Sequence, residues 1–227
     1  MEEYYKAYEY RYRKIHSEEN APWAGDKPTE ILADYLEKYG ATNKSKILEV
    51  GCGEGQNAIF LMKKGFNILA SDVSVEAISW CKKKAKENGV DENNFFVLDV
   101  LNNNFQGEFD FIYTISTLHM LAKDADRIQF LNFIYSHIKN DGKAIITIMG
   151  DGKSEQNNDD LTKAFELTER QFNGKLVKVA RTSCRIVNWT TFERELKNSK
   201  LSIIEKFNTS KVSGFNDSMF VVCQKMI

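Results

Sequence analysis

An α/β fold built on a mostly parallel sheet is predicted for this 227-residue chain, and three observations predict it. Short apolar runs alternate with helical patterns from Lys46 to Met149; a glycine-rich turn, Gly51 to Gly55, follows the first run; and the last two apolar runs have no helix between them. Strands that alternate with helices at this spacing close right-handed crossovers, which makes the strands parallel and covers the sheet on both faces. Seven apolar runs imply a doubly wound sheet of seven strands, with an antiparallel pair at one edge contributed by the C-terminal segment.

The elements follow in order. Residues 2 to 16, rich in Tyr, Arg and Lys, form a first helix. Both prolines, Pro22 and Pro28, fall in Ala21–Pro28 and break the chain there, because proline cannot continue a helix interior. Asp26 is then placed to cap a second helix, with Pro28 in its first turn and Gly40 beyond its end. Lys46 to Val50 reads as a strand, Asn57 to Lys64 as a helix stopped by Gly65, and Phe66 to Ala70 as a strand. Val75, Ile78, Cys81 and Ala85 recur at helical spacing, with most of the lysines of 82–86 on the far side and Gly89 as the stop. Phe95 to Leu98 and Phe109 to Ile115 are strands, Ile128 to Ile138 a helix, and Asp141-Gly142 turns the chain into a strand from Ala144 to Met149. Beyond Gly150 the pattern weakens. Residues 150–189 read as an insertion, with 161–172 helical and 175–189 ambiguous; Thr190 to Asn198 is a helix, and Leu201 to Ile204 and Met219 to Val222 are the last strands. This divides the chain into an N-terminal helical cap, 1–40, and a main domain, 41–227, whose 150–189 insertion contributes to a lid over the substrate.

Bulk composition narrows the partners. Lys+Arg at 31 against Asp+Glu at 32 gives no global field for nucleic acid or an acidic membrane, so neither is expected as a partner. No stretch approaches the roughly 18 apolar residues that a membrane span needs. The four cysteines, Cys52, Cys81, Cys184 and Cys223, lie far apart, and no basic-then-apolar leader opens the chain, as expected of a reduced, cytoplasmic protein. A small-molecule partner fits best.

The chemistry-bearing residues cluster at strand ends. Gly51, Gly53 and Gly55 deliver a turn without side-chain bulk, so that a ligand can reach the main chain at the carboxyl edge of the sheet. The spacing is G-x-G-x-G, not the G-x-G-x-x-G of dinucleotide sites, and no Lys-Ser/Thr follows as in a phosphate-binding loop. Glu49, just ahead of the turn, can organise it and the cationic end of a bound amino acid. Asp72 ends the second strand, where a carboxylate accepts both hydroxyls of a ribose. Asp99 ends the third, where it can accept from an adenine amino group while Val100 packs the ring. Singly, each acid is as readily a salt-bridge partner, a helix cap or a turn residue. Together, at successive strand ends, they define a nucleoside crevice.

These motifs resemble the class I S-adenosylmethionine-dependent methyltransferases. The glycine motif of that family looks like ILEVGCGEGQNAIFL here, its ribose acid matches Asp72 in LASDVS, its adenine-site acid matches Asp99 in FFVLDV, and FDFIYTISTLHML is similar to its fourth strand. The resemblance covers roughly residues 46 to 149. It implies a Rossmann-like fold, S-adenosylmethionine as cofactor, and cofactor contacts from Glu49, Gly51, Cys52, Gly53, Gly55, Asn57, Asp72, Val73, Asp99, Val100, Thr114 and Ile115. More narrowly, APWAGDKP ahead of this core is similar to the thiopurine and tellurite-resistance methyltransferases, which carry a Trp-containing N-terminal segment over the cofactor; this places Trp23 at the site.

Methyl transfer from a sulfonium is an in-line displacement, so alignment and exclusion of water can do most of the work, with no metal or covalent nucleophile. An ammonium or hydroxyl acceptor wants a general base nearby; a thiolate does not. His119, just after the fourth strand, is the candidate base, the competing reading being a histidine that merely bonds the backbone. His16 and His137 sit in helical patterns and read as structural. Tyr4, Tyr5, Tyr8, Tyr10, Tyr12 and Trp23 mark the N-terminal region as a lid, against the plainer reading of edge packing. Asp151, Arg181, Cys184 and Arg185 are possible acceptor contacts from the insertion. The expected function is methyl transfer to a small molecule. The alternatives are a peptide or protein acceptor, or cofactor binding without transfer; an NAD-linked oxidoreductase fits the glycine spacing poorly. DNA amino-methylating and RNA cytosine enzymes need prolines this chain lacks at those positions, and no acidic pair lies in Thr114–Leu121 as in arginine methyltransferases.

Overall fold

A computed structural model describes residues 3–157 and 160–226; Glu2 of the first expected helix lies outside the described residues, as do 158–159 of the insertion. The main sheet comprises β1 (Lys46–Val50), β2 (Asn67–Asp72), β3 (Phe95–Val97), β4 (Phe109–Ile115) and β5 (Ile138–Met149), joined by β10 (Leu201–Thr209) and β11 (Ser218–Lys225). Its seven strands run β10-β11-β5-β4-β1-β2-β3. β1 to β5 are parallel. β11 is antiparallel to both β5 and β10, so the chain's last strand lies one place in from the edge and β10 forms the edge itself. The chain builds outward from β1 to β3, then returns to place β4 on the other side of β1. The strand order therefore reverses between β1 and β4, which opens a crevice at their carboxyl ends.

Side-chain alternation assigns the two faces. Leu48, Ile112 and Ile146 pack with Phe130, Leu131 and Ile134 of α5 (Asp124–His137) and with Phe192 and Leu196 of α6 (Trp189–Asn198). Ile47, Ile68, Phe111 and Tyr113 face the other way, onto α3 (Gln56–Lys63), α4 (Val75–Glu87) and α2 (Ile31–Lys38). Ser74 starts α4 by accepting from the amide of Ala77, and Asn188 starts α6 by accepting from Thr191. α2 begins at Ile31 with no side-chain cap, so Asp26 is not the cap expected of it. Through Leu32, Ala33 and Leu36, α2 belongs to the layer that covers the sheet.

What stands over the crevice is α1 (Ala7–Glu19), preceded by a 3-10 turn at Tyr4–Lys6, together with part of the insertion. The insertion is not helical over 161–172, as its apolar spacing suggests. Beyond a short 3-10 turn it forms β7 (Leu167–Phe172) and β8 (Lys175–Ala180), an antiparallel hairpin. The turn explains it: Asn173 and Gly174 both adopt positive φ, 47° and 79°, the conformation that favours Asn-Gly at hairpin tips. Phe172 and Val179 of the hairpin bury against Ile15 of α1. Two further short strands, β6 (Gln156–Asn157) and β9 (Arg185–Ile186), pair with each other. Among the described residues no helix is long and apolar enough to cross a membrane.

Candidate active site

The glycine turn is shaped by close approach. Gly51 has φ 75°, and a Cβ there would stand 2.3 Å from the Thr117 hydroxyl, so the segment after β4 presses directly on the loop. Gly55 precedes α3 at φ 85°, with Cys81 Sγ 2.8 Å from where its Cβ would be. Both positions demand glycine, for conformation and for space. The loop is fixed to the next strand by Asp72, whose Oδ2 accepts from the Gly53 amide at 2.8 Å and Oδ1 from the Ser74 amide at 2.9 Å. Burial pushes the Asp72 carboxyl above its ordinary range, against these bonds.

A cavity of about 380 Å³ occupies the crevice. Of the residues expected there, Trp23, Gly51, Cys52, Gly53, Asn57 and Asp72 line it. Val73, Asp99, Val100 and Ile115 do so as well. Four expected residues do not. Gly55 acts from within the turn, and Thr114 lies on the opposite side of β4 from Ile115, fully buried, with its hydroxyl unpartnered. Glu49 sits behind the wall, 1 % exposed, accepting from the Tyr113 hydroxyl at 3.0 Å and linked to Asn57 at 3.5 Å. Burial raises its carboxyl to about 8. Its influence on the site passes through Asn57, whose Oδ1 in turn accepts from the Thr29 amide.

His119 is the fourth. It is fully buried behind Phe215, its Nδ1 accepts weakly from the Met149 amide at 3.4 Å, and its Nε2 has no partner. Burial, with the nearby Arg127 charge, pushes the imidazole down to about 3. A ring so weakly basic and off the cavity wall is poorly placed to act as the expected general base at neutral pH.

Side chains of the glycine turn and of α4 fasten the N-terminal segment to the crevice, among them Glu54 and Glu76, to which the sequence assigns no role. Glu54, inside the glycine turn and 3 % exposed, accepts from the backbone amides of Trp23 at 2.6 Å and Ala24 at 2.8 Å. Its Oε1 also meets His16 Nε2 at 2.7 Å, while His16 Nδ1 meets Glu76 at 2.8 Å. Burial works against a charge on this imidazole, but the hydrogen bonds to the two carboxylates outweigh it and raise its pKa. Its ring stacks on Trp80 at 4.2 Å. Glu9 of α1 accepts from the Ser74 hydroxyl and the Glu76 amide at the start of α4. Tyr5 donates to Asp99 Oδ2 at 3.0 Å, and Lys6 pairs with the same oxygen at 3.1 Å. From the far end of the chain, Ser213, Gly214 and Phe215 close the wall. The glycine in a polar stretch between the last two strands was the available signal for that loop.

The other insertion candidates lie off the cavity. Arg185 pairs with Asp124, Asp151 accepts within its own turn from Lys153 and Ser154, and the thiol of Cys184 is held up by burial.

The sheet order and the strand-end acids define a nucleoside-binding α/β domain. Residues 47–142 match a family model described as a methyltransferase domain. Over this segment the chain is similar to the S-adenosylmethionine-dependent methyltransferases, a family whose cofactor is S-adenosylmethionine. A ubiquinone biosynthesis O-methyltransferase of Rickettsia felis is 32 % identical over 118 residues, 52 % of this chain and 46 % of that protein. The chain spans about half the length of the curated relatives it matches. The CcbJ methyltransferase of Streptomyces caelestis superposes with a TM-score of 0.74 at 13 % identity, over 98 % of this chain and 99 % of that one. The 1,6-didemethyltoxoflavin-N1-methyltransferase of Burkholderia thailandensis gives 0.70 at 14 % identity, over 99 % and 89 %. At such identities the likeness is one of fold.

Proposed function

We propose that this chain transfers the methyl group of S-adenosylmethionine to a small molecule, and that it does so by alignment rather than by side-chain base catalysis. The carrying observation is the cavity itself, lined by acids at two successive strand ends and by the aromatic and apolar side chains of Tyr8, Tyr12, Trp23, Met120, Leu121 and Phe215. Bound there, the cofactor supplies an activated methyl on a sulfonium. The residues fit it: glycine backbone free of side chains at the end of β1, Asp72 placed for the ribose, Asp99 with Val100 and Leu101 for the adenine. The Asp99 oxygen held by Tyr5 and Lys6 ties the lid to this end of the site.

Around the cavity, burial raises Tyr8 and Tyr12 above the ordinary tyrosine range and Cys52 above that of a free thiol. These groups stay protonated at neutral pH, so they can donate hydrogen bonds but cannot take a proton. An acceptor must therefore bring its own lone pair. The lid, formed in this reading by residues 3–24 and the β7–β8 hairpin, excludes water and limits the acceptor to something small. A cavity of about 380 Å³ suits a small molecule better than a peptide chain. Trp23 in the wall supports the narrower likeness to the thiopurine and tellurite-resistance branch.

Calorimetric titration with S-adenosylmethionine and with NAD, followed by release of S-adenosylhomocysteine across thiols, heteroaromatic amines, carboxylates and peptides, tests the reading. Binding of S-adenosylmethionine and turnover with small acceptors is expected. Tight cofactor binding with turnover on peptides alone, or on nothing, would refute it.

A further inference from the structure

Among the described residues no carboxylate pairs with the buried charge of Arg11, which is met by a backbone carbonyl and the Tyr8 hydroxyl. Arg11 lies on α1 at 4 % exposure, and its Nε and Nη2 both donate to one carbonyl oxygen, that of Ala180, at 3.2 and 2.7 Å. Arg13, Arg127 and Arg185 each meet a carboxylate. The groups acting on the Arg11 charge are instead the phenols of Tyr8 and Tyr12 and a second cation, Arg170 of β7. Burial and Arg170 both work against it. A neutral carbonyl and two aromatic faces offset only part of the cost of desolvating a guanidinium.

The placement gives this charge a direction. The Tyr8 and Trp23 rings flank the guanidinium, each with its centroid 4.9 Å from the central carbon, and both rings line the cavity. The charge therefore stands one aromatic ring away from the acceptor wall. The Tyr8 hydroxyl is engaged by Thr182 and lies in the field of Arg11. Asp72 and Asp99 line the same cavity, and Asp99 already meets Lys6. Arg11, beside Tyr8 and Trp23, meets no such acid among the described residues. Arg170, exposed on the hairpin, adds a second cation near it.

We propose that the acceptor is a flat aromatic anion, its ring against Tyr8 and Trp23 and its negative charge on the lid side, and that Arg11 is the residue that selects for the charge. This rests on the methyltransferase reading above and names its substrate class. An anion entering the site supplies the counter-charge that no described carboxylate gives Arg11, and burial then strengthens the interaction.

The test uses two aromatic probes of nearly the same shape, one anionic and one neutral, 2-naphthoate and 2-naphthamide, titrated into the full chain saturated with S-adenosylhomocysteine. Naphthoate is expected to bind at least about tenfold tighter. Arg11→Met should abolish the preference, and Arg11→Lys should keep most of it, with the affinity for S-adenosylhomocysteine unchanged in both. Should Arg11→Met fail to fold, Arg170→Met, at an exposed position, is expected to lower naphthoate affinity about two- to fivefold and leave naphthamide unaffected. Equal binding of the two probes, binding of neither, or a preference that survives loss of the cation would overturn the proposal. Failure to bind S-adenosylhomocysteine would instead bring down the cofactor reading, and the proposal with it.

Discussion

In the proposed reading Glu54 holds residues 7–24 over the crevice, and replacing it with glutamine isolates that role. The carboxylate takes two backbone amides of the lid, Trp23 and Ala24, on different oxygens, and His16 on one of the same oxygens. A carboxamide has one oxygen; its NH2 group would face a backbone N–H that also needs an acceptor. At least one bond is lost, and the rest lose their charge. Hydrogen bonds to charged groups contribute about 1.5–3 kcal/mol each, so a net loss of about 3 kcal/mol is expected, which is roughly a hundredfold rise in the open population. Hydrogen exchange resolved by peptide measures it: protection over residues 7–24 should fall about a hundredfold while α5 and the central strands keep theirs. Unchanged protection over 7–24, or an equal loss in α5, would show that Glu54 is not the latch. The same segment should respond to pH. The His16 pKa is raised in the folded chain, so its contribution is complete below the ordinary value of about 6.5 and is lost as pH climbs through the folded value. Lid protection, corrected for intrinsic exchange, should weaken on that rise, and less so in Glu54→Gln.

Three other outcomes follow from buried groups. Glu49, raised to about 8, stabilises the fold as the neutral acid, fully below its ordinary 4.5 and progressively less as pH rises toward 8; Glu49→Gln should therefore raise Tm at about pH 9 and barely change it at about pH 5, and an equal shift at both would contradict this. His119→Leu should keep methyl transfer within about tenfold, with the pH profile of kcat unaltered, since the ring is buried and neutral; loss of a pH-dependent limb in the variant would restore the histidine as a base. Arg127 is fully buried and paired through two nitrogens to Glu195 at 2.7 and 2.6 Å, so Arg127→Met should cost about 3–5 kcal/mol and lower Tm by roughly 10 °C, most of it recovered in thermal melts of the double variant with Glu195→Leu.

The sheet and its crevice were legible because each rests on local signals. Apolar runs of five or six residues between glycine stops carry strands, and a bulk-free turn after the first one carries a ligand site. Thr114 was misplaced because the sequence does not say which parity of a strand faces the ligand; Ile115, one residue on, lines the cavity. His119 misled because proximity along the chain does not reveal burial. The hairpin was hidden by accident of spacing: Leu161, Ala164, Phe165, Thr168 and Phe172 fall at helical intervals, and the Asn173-Gly174 turn that outweighs them was overlooked. Glu54 was unreadable for a different reason. Its partners lie some thirty residues upstream and bond through backbone, which leaves no pattern of residue types.

The lid draws on both ends of the chain, and this bears on the order of its making. α1 leaves the ribosome before any strand exists for it to cover, yet the hairpin that buries Ile15 and takes the Arg11 bonds is made only after the fifth strand of the main sheet. Until then the first helix rests on the glycine turn and the start of α4, through Glu9 and His16. A nascent chain stalled before residue 180 would lack the carbonyl that takes the Arg11 bonds.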